Sequence, residues 1–191
     1  KIGPSGARAI AGALSTNTTV NLLDLSNNDI GPIGATEIAT ALSTNTAIKV
    51  LNIRGNKIGD EGVELLSRHL SVNTSLNHLD IGNNSIGPNG AKGIANCLSC
   101  TSMHTLDIGC NNIGPDGARS LGSVMSKNTN LVSLCLVSTG LGDEGVKVIA
   151  KFISTDTSIK NLDIRCTNIG LEGASALHTA ISNNTTIENI Y

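Results

Sequence analysis

Residues 48–70 read IKVLNIRGNKIGDEGVELLSRHL, and two different spacings of apolar residues follow each other within them. Leu51 and Ile53 alternate with polar residues, which predicts a short strand with one buried face. Val63 and Leu66 begin a series at helical spacing, which predicts an amphipathic helix. The segment therefore encodes one strand, one turn and one helix.

The same pattern returns about every 28 residues along the whole chain. Its first apolar position is occupied in turn by Val20, Ile48, Leu76, Met103, Leu131 and Ile159, with partial copies at both ends. The copy that begins at Leu76 has 27 residues, and we expect a tightened loop around Cys100. A period of about 20 to 50 residues is typical of an array in which each unit buries its apolar face against its neighbours. We therefore expect residues 1–191 to form a single α/β solenoid domain of about seven repeats.

Glycine and proline mark the junction between strand and helix. Gly31 stands where a turn without a Cβ is expected, and Gly34 stands where the helix begins close to its neighbour. All four prolines directly follow the first of these glycines, where a missing N–H costs nothing at a helix start. Asp60 and Asp143 take the place of proline in two copies, and we expect them either to cap the N-terminus of their own helix or to favour it electrostatically.

A column of asparagine follows each strand. It consists of Asn28, Asn56, Asn84 and Asn111, and it continues with Thr139 and Thr167. A buried polar side chain is costly unless it is hydrogen-bonded. We predict a structural ladder in which each amide bonds the backbone of its own and the next repeat, and in which the threonines make fewer bonds.

A second set of asparagines follows each helix. Its members are Asn17, Asn45, Asn73, Asn128 and Asn184. Asparagine tolerates the left-handed conformation that often closes a helix, so we predict that these residues are the helix terminators.

Composition excludes several classes of protein. The net charge is −2, with one Phe, one Tyr and no Trp, which indicates neither a basic nucleic-acid footprint nor a stacking platform for bases. No apolar run is long enough to span a membrane.

Cysteine usage favours a reducing compartment. The five cysteines are odd in number, and Cys110, Cys135 and Cys166 fall at different heights on successive strands, beyond disulfide reach. We expect free thiols and a cytoplasmic protein. Cys97 and Cys100 have no second cysteine pair for a zinc site, and no metal or other cofactor is expected.

The pattern Leu-x-x-Leu-x-Leu-x-x-Asn-x-Ile-Gly-x-x-Gly-Ala, followed by a helix, resembles the ribonuclease inhibitor-like class of leucine-rich repeats over the whole chain. This resemblance implies a horseshoe with a parallel sheet on the concave side and helices on the convex side. The class includes nuclease inhibitors, sensing domains of NOD-like receptors, activating proteins of the GTPase Ran, and effectors of intracellular bacteria. The chain lacks the aromatic-rich concave face of the nuclease inhibitors, so inhibition of nucleases is not expected.

Strand alternation turns the residues between the inward leucines toward the concave surface. The candidate partner-binding residues are Asp24, Asn52, Arg54, His78, Asp80, His104, Asp107, Cys135, Val137, Asp163, Arg165 and Tyr191. The aspartates form a broken acidic stripe. Arg54 with Lys49, and Arg165 with Lys160, form two basic spots about 20 Å apart, which we expect to anchor charged groups of a partner.

Each of these residues has a structural alternative. An aspartate beside a leucine can serve only to keep the open face soluble. Tyr191 is either a contact residue or a cover for the end of the core. His78 and His104 have no thiolate nearby on an open sheet, so a metal site is not expected there.

We expect a non-catalytic module that binds another protein through its concave sheet as an inhibitor or regulator, because no pocket or nucleophile motif is present. A bacterial effector or effector regulator in a host cytosol is favoured. The alternatives are a GTPase-activating helper, a NOD-like-receptor sensing domain and a self-assembling segment. We expect the chain to be a monomer on its own. Neither end carries a polar cap, which favours a chain that continues further.

Overall fold

Helix and strand alternate along the chain in the computed structural model, which describes residues 1–99, 101–155 and 158–191. The helices are α1 (Gly3–Leu14), α2 (Gly31–Leu42), α3 (Gly59–Leu70), α4 (Pro88–Leu98), α5 (Gly114–Met125), α6 (Gly142–Ile153) and α7 (Leu171–Asn183). The strands are β1 (Leu22–Asp24), β2 (Val50–Asn52), β3 (His78–Asp80), β4 (Thr105–Asp107), β5 (Ser133–Cys135), β6 (Asn161–Asp163) and β7 (Asn189–Ile190). Within the described part of the chain, no helix has the length and apolarity that crossing a membrane requires.

The strands form one parallel sheet in chain order, from β1 to β7. Leu51 pairs with Leu79, and Leu79 pairs with Leu106, although the second step spans 27 residues rather than 28. The register is therefore the same on both sides of the short repeat. The missing residue falls in the α4–β4 connection, where Cys100 lies outside the described residues. The expected α/β solenoid, with the sheet on the concave side and the helices on the convex side, is confirmed.

The core lies between the sheet and the layer of helices. The strand residues Leu51, Leu79 and Leu106 are fully buried, and so are the helix residues Ile38 and Leu66. Full burial of such a side chain contributes about 1.5–3 kcal/mol. Because each repeat places the same aliphatic residues at the same height, one continuous core runs through the stack.

The junction between strand and helix has two forms. After a repeat with proline, the next glycine has positive φ, as at Gly31 (φ 63), and its N–H donates to the carbonyl of Asn56 at 3.0 Å. In the repeats that follow Asp60 and Asp143, the corresponding glycines are Gly87 and Gly170, and both have φ −102 instead. Their N–H groups each donate to the aspartate carboxylate at 2.6 Å.

The prediction for these two aspartates is therefore wrong as regards capping, although both lie in the first turn of their own helix, where an acidic side chain favours the N-terminus. Neither α3 nor α6 has a side-chain cap, and each carboxylate bonds the turn of the following repeat. The position after the first glycine of a repeat faces the next repeat. Pro32 occupies it in α2, and a Cβ added to Gly62 of α3 would lie 2.8 Å from the Pro32 Cα atom. The close approach predicted for the second glycine is present.

The prediction for the asparagines after each helix is also wrong. None of them has positive φ among the described residues, and Asn184 has φ −91. Asn45 instead donates from Nδ2 to the carbonyl of Leu14, at the end of the preceding helix, at 2.8 Å. Its Oδ1 accepts the N–H of Ile48 at 3.0 Å, two residues before the strand of its own repeat. These asparagines form a second ladder that joins neighbouring repeats.

Candidate partner-binding face

The exposed side of the sheet carries the residues between the inward leucines. His78 and Asp80 of β3, and Thr105 and Asp107 of β4, are half-buried, whereas the leucines between them are buried. The short strands hold these side chains in rows because neighbouring residues pair directly, as Asp80 does with Asp107.

Arg54 lies across the sheet. Its Nη1 atom is 3.7 Å from a carboxylate oxygen of Asp80 and 3.7 Å from one of Asp107, and its Nη2 atom donates to the Cys110 sulfur at 3.1 Å. A Cβ on Gly82 would lie 2.1 Å from Nη1, so the guanidinium occupies space that the glycine leaves open. The expected basic spot at Arg54 is thus engaged within the chain.

The carboxylates of Asp80 and Asp107 lie close together and repel each other. Partial burial raises the pKa of Asp80, and the neighbouring Asp107 carboxylate adds to the rise, against the N–H of Gly82 and the charge of Arg54. The Gly109 N–H donates to Asp107 at 2.7 Å and fixes the orientation of that carboxylate.

The second expected basic spot is also neutralised. The Arg165 Nη2 and Nε atoms donate to the Asp163 carboxylate at 2.6 and 2.9 Å, and this ion pair lowers the pKa of Asp163. The guanidinium lies 5.7 Å from the centre of the Tyr191 ring, within the range of a cation–π contact. Tyr191 is 58% exposed. Lys160 pairs with Glu188 at 2.6 Å.

A hollow of about 320 Å³ lies between the two arginines, and we call it the docking hollow. Its lining includes His78, Asp80, Asp107, Cys135, Asp163 and Tyr191. Burial raises the pKa of the Cys135 thiol to about 12, and the carboxylates of Asp107 and Asp163 contribute to this. The Cys135 side chain is therefore a neutral thiol between two carboxylates.

The remaining candidate residues lie around this centre. Asp24 accepts the N–H of Ser26 at 2.9 Å and the side-chain amide of Asn52 at 3.2 Å, which places this pair toward the β1 edge of the sheet. The N–H of Ser26 is the main reason that the pKa of Asp24 is lowered. His104 is exposed and Val137 is half-buried.

The first asparagine column lies beneath the end of each strand. Asn84 donates from Nδ2 to the carbonyls of Ile53, Ile81 and Gly82 at 2.9–3.1 Å, and its Oδ1 accepts the N–H of Asn56 at 2.7 Å. Each amide thus joins two repeats and fixes the turn next to the concave face.

A larger open groove of about 750 Å³ runs along the edge formed by these turns. Sequence reasoning did not single it out. The residue before each ladder position has positive φ, as at Asn83, Cys110 and Ser138, and turns its side chain to this edge. A recurring Asn, Gly, Cys or Ser immediately before the ladder position was the signal in the sequence.

A family model described as leucine rich repeat matches residues 16–39, 44–67, 72–95, 99–122, 127–150 and 155–177. The chain belongs to the leucine-rich repeat family. The matches begin one repeat apart, and each begins at the end of a helix and runs into the next one. The family assignment therefore agrees with the repeat that the residues alone define.

The solved structures that resemble this fold include two whose chains are covered almost completely. The tropomodulin C-terminal domain of Caenorhabditis elegans aligns with a TM-score of 0.60 and 12% identity, over 93% of this chain and 92% of that chain. The leiomodin-1 actin-binding site 2 aligns with a TM-score of 0.53 and 14% identity, over 91% and 86%. No curated protein sequence matches the chain. At sequence identities this low, the structural similarity shows the fold alone.

Proposed function

We propose that this leucine-rich repeat chain is a non-catalytic module that holds a partner protein on its concave sheet and regulates that partner by covering its surface. The observation that carries this proposal is the open face itself. It presents rows of half-buried polar side chains around the docking hollow, on a backbone fixed by the asparagine ladder. Such a pre-organised surface loses little conformational entropy on binding.

The chemistry of the hollow supports binding rather than catalysis. Its one cysteine, Cys135, has a raised pKa and stays protonated at neutral pH, whereas a nucleophilic cysteine needs a lowered one. Arg54 and Arg165 are paired with carboxylates of the same face, and these ion pairs hold the two side chains in place as parts of a binding surface.

Several finer features belong to the same proposal. Residues 1–191 act as one domain and as a monomer, in the manner of the ribonuclease inhibitor-like class. A cytoplasmic setting is supported by the free thiols of Cys110, Cys135 and Cys166. An effector or effector regulator remains our preferred role.

Face-specific charge reversal tests the proposal. Asp107→Lys together with Asp163→Lys alters the concave face, and Asp116→Lys together with Glu144→Lys alters exposed helix positions as a matched control. We expect the concave variant to lose at least about tenfold in affinity for partners captured from the cell that makes the protein, equivalent to about 1.4 kcal/mol, and the control to keep them. Circular dichroism verifies that both variants are folded. Equal capture by both variants would refute concave-face binding.

Actin is the first purified protein to test, because one structure with this fold is an actin-binding site of leiomodin-1. The measurement is co-sedimentation with filamentous actin, with the concave variant and the helix-face variant side by side. Co-sedimentation that the concave variant alone loses supports actin as the partner. Co-sedimentation that neither variant loses contradicts it for this face.

A further inference from the structure

We propose, building on the proposed function, that the docking hollow receives a lysine or arginine side chain of the partner, seated between Asp107 and Asp163 and above Cys135.

The charges of the hollow do not balance. Asp163 has its own guanidinium, because Arg165 contacts both of its oxygens. Asp80 and Asp107 share the single guanidinium of Arg54, at 3.7 Å from each, which is longer than a hydrogen bond. Three carboxylates thus face two guanidinium groups, and one negative charge is left for a partner to neutralise.

The spacing fits one cation. Asp107 and Asp163 lie on β4 and β6, with Cys135 of β5 paired between them. Adjacent parallel strands are about 4.8 Å apart, so the backbone positions of the two aspartates are about 10 Å apart, and a flexible cationic side chain above Cys135 lies between them with either carboxylate within its reach. Asp107 is already oriented by the N–H of Gly109, so binding does not have to order it.

The floor suits the aliphatic stem of such a side chain. The side chains of Leu106 and Leu134 are buried in the core beneath the hollow, and its accessible apolar lining includes the neutral Cys135 thiol and the exposed Tyr191 ring. Lysine and arginine bury their methylene groups along apolar surface while the charged end meets polar groups. A volume of about 320 Å³ accommodates one such side chain.

The arginines of the chain itself do not fill this place. Arg54 is held over Gly82 by its bond to Cys110, on the β2 side of the hollow. Arg165 is held by Asp163 and lies over Tyr191 on the other side. An acidic side chain of a partner would meet two guanidinium groups that already have carboxylate partners, so it would gain less binding free energy than a basic one.

A titration followed by amide NMR tests the inference. The probes are three end-capped peptides, Gly-Ser-Lys-Ser-Gly, Gly-Ser-Glu-Ser-Gly and Gly-Ser-Gln-Ser-Gly, added to the ¹⁵N-labelled chain. We expect the lysine peptide to cause saturable shifts at Asp107, Ser133 and Cys135 in the millimolar range, and added salt to weaken them. The other two peptides should bind at least about fivefold more weakly.

Matched variants locate the contact. Asp107→Asn together with Asp163→Asn should weaken the lysine peptide at least about tenfold, whereas Asp24→Asn, in the same column but outside the hollow, should leave it unchanged. The amide spectrum shows that each variant is folded. Lysine binding that is unaffected by the double variant, or absent at saturating peptide, overturns the inference.

The outcomes also separate this inference from the proposed function. Tighter binding of the glutamate peptide to the concave face would overturn the lysine or arginine assignment and leave concave-face binding intact. Partner capture that survives charge reversal on the concave face would instead overturn the proposed function itself.

Discussion

The turn edge of the first four repeats and that of the next two are built from different ladder residues. Asn28, Asn56 and Asn84 each donate their backbone N–H to the side chain of the next asparagine in the column, at 3.0, 2.7 and 2.9 Å. Thr139 and Thr167 donate only to carbonyls of their own repeat, Leu136 and Ile164, among the residues described. The ladder position therefore joins neighbouring repeats where it is asparagine, and it bonds only within its own repeat where it is threonine.

The difference follows from the chemistry of the side chains. A side-chain amide has two donors and a carbonyl oxygen on a planar group long enough to reach two repeats, whereas a threonine hydroxyl is shorter and has one donor. Because stability in such arrays is a sum of repeat and neighbour terms, the coupling between repeats should be stronger in the asparagine half.

The largest effect is expected for Asn84→Ala. It removes three side-chain donations and the acceptor for the Asn56 N–H, so it should lower the free energy of unfolding by about 3 kcal/mol or more. Thr139→Ala removes one bond and should cost about 1 kcal/mol. Urea unfolding measures both values, with Thr139→Val as the size-matched control. Equal losses would show that the amide ladder adds no coupling.

Amide hydrogen exchange compares the two halves without mutation. The Asn84 N–H is bonded to the Asn111 side chain, whereas the next rung, at Asn111, faces a threonine. We expect the Asn111 and Thr139 N–H groups to exchange at least about tenfold faster than those of Asn56 and Asn84. Uniform protection along the column would contradict the difference.

Extending the ladder should strengthen the threonine half. Thr139→Asn offers a side-chain oxygen to the Asn111 N–H and donors to nearby strand-end carbonyls. We expect a gain of about 1 kcal/mol in the free energy of unfolding. A loss in thermal unfolding experiments, with the fold intact, would mean that the site at Thr139 cannot accommodate an amide.

The smallest effect concerns the ion pairs of Asp29, on the turn edge of the asparagine half, which have no counterpart on the threonine half of that edge among the described residues. Asp29 contacts Lys1 at 2.6 Å and Lys57 at 2.8 Å, and these contacts lower its pKa to about 2. Since the pKa is lower in the folded state, the stabilisation is complete above the unfolded value of 3.8 and is lost as the pH falls through about 2.

Asp29→Asn should therefore lower stability slightly at neutral pH and not at all below about pH 2, and salt should reduce the difference. Urea midpoints as a function of pH, with Glu61→Gln at another exposed acidic position as a control, measure it. A difference that persists in strong acid would have another cause.

Some misread positions show where local reasoning ends. Asn45 follows a helix, and sequence offers a left-handed terminator as the obvious role; its partner at Leu14 is 31 residues away and becomes visible only when the repeats are stacked. Asp60 lies in the first turn of its own helix, as local spacing suggests, but its hydrogen bond to Gly87 in the next repeat is likewise visible only in the stack. The ladder column was predicted correctly in position, because burial of a periodic amide implies backbone partners nearby.

The sequence by itself determined the solenoid, its repeat and the row of residues that faces outward, because apolar spacing of two and of 3.6 leaves one face to bury in each element. The tertiary structure decided how the outward charges pair. Arg54 is flexible enough to reach across two strands, and it does so because Gly82 leaves the space open in the next repeat. Such pairing depends on where side chains from different repeats end in space, which spacing along the chain does not specify.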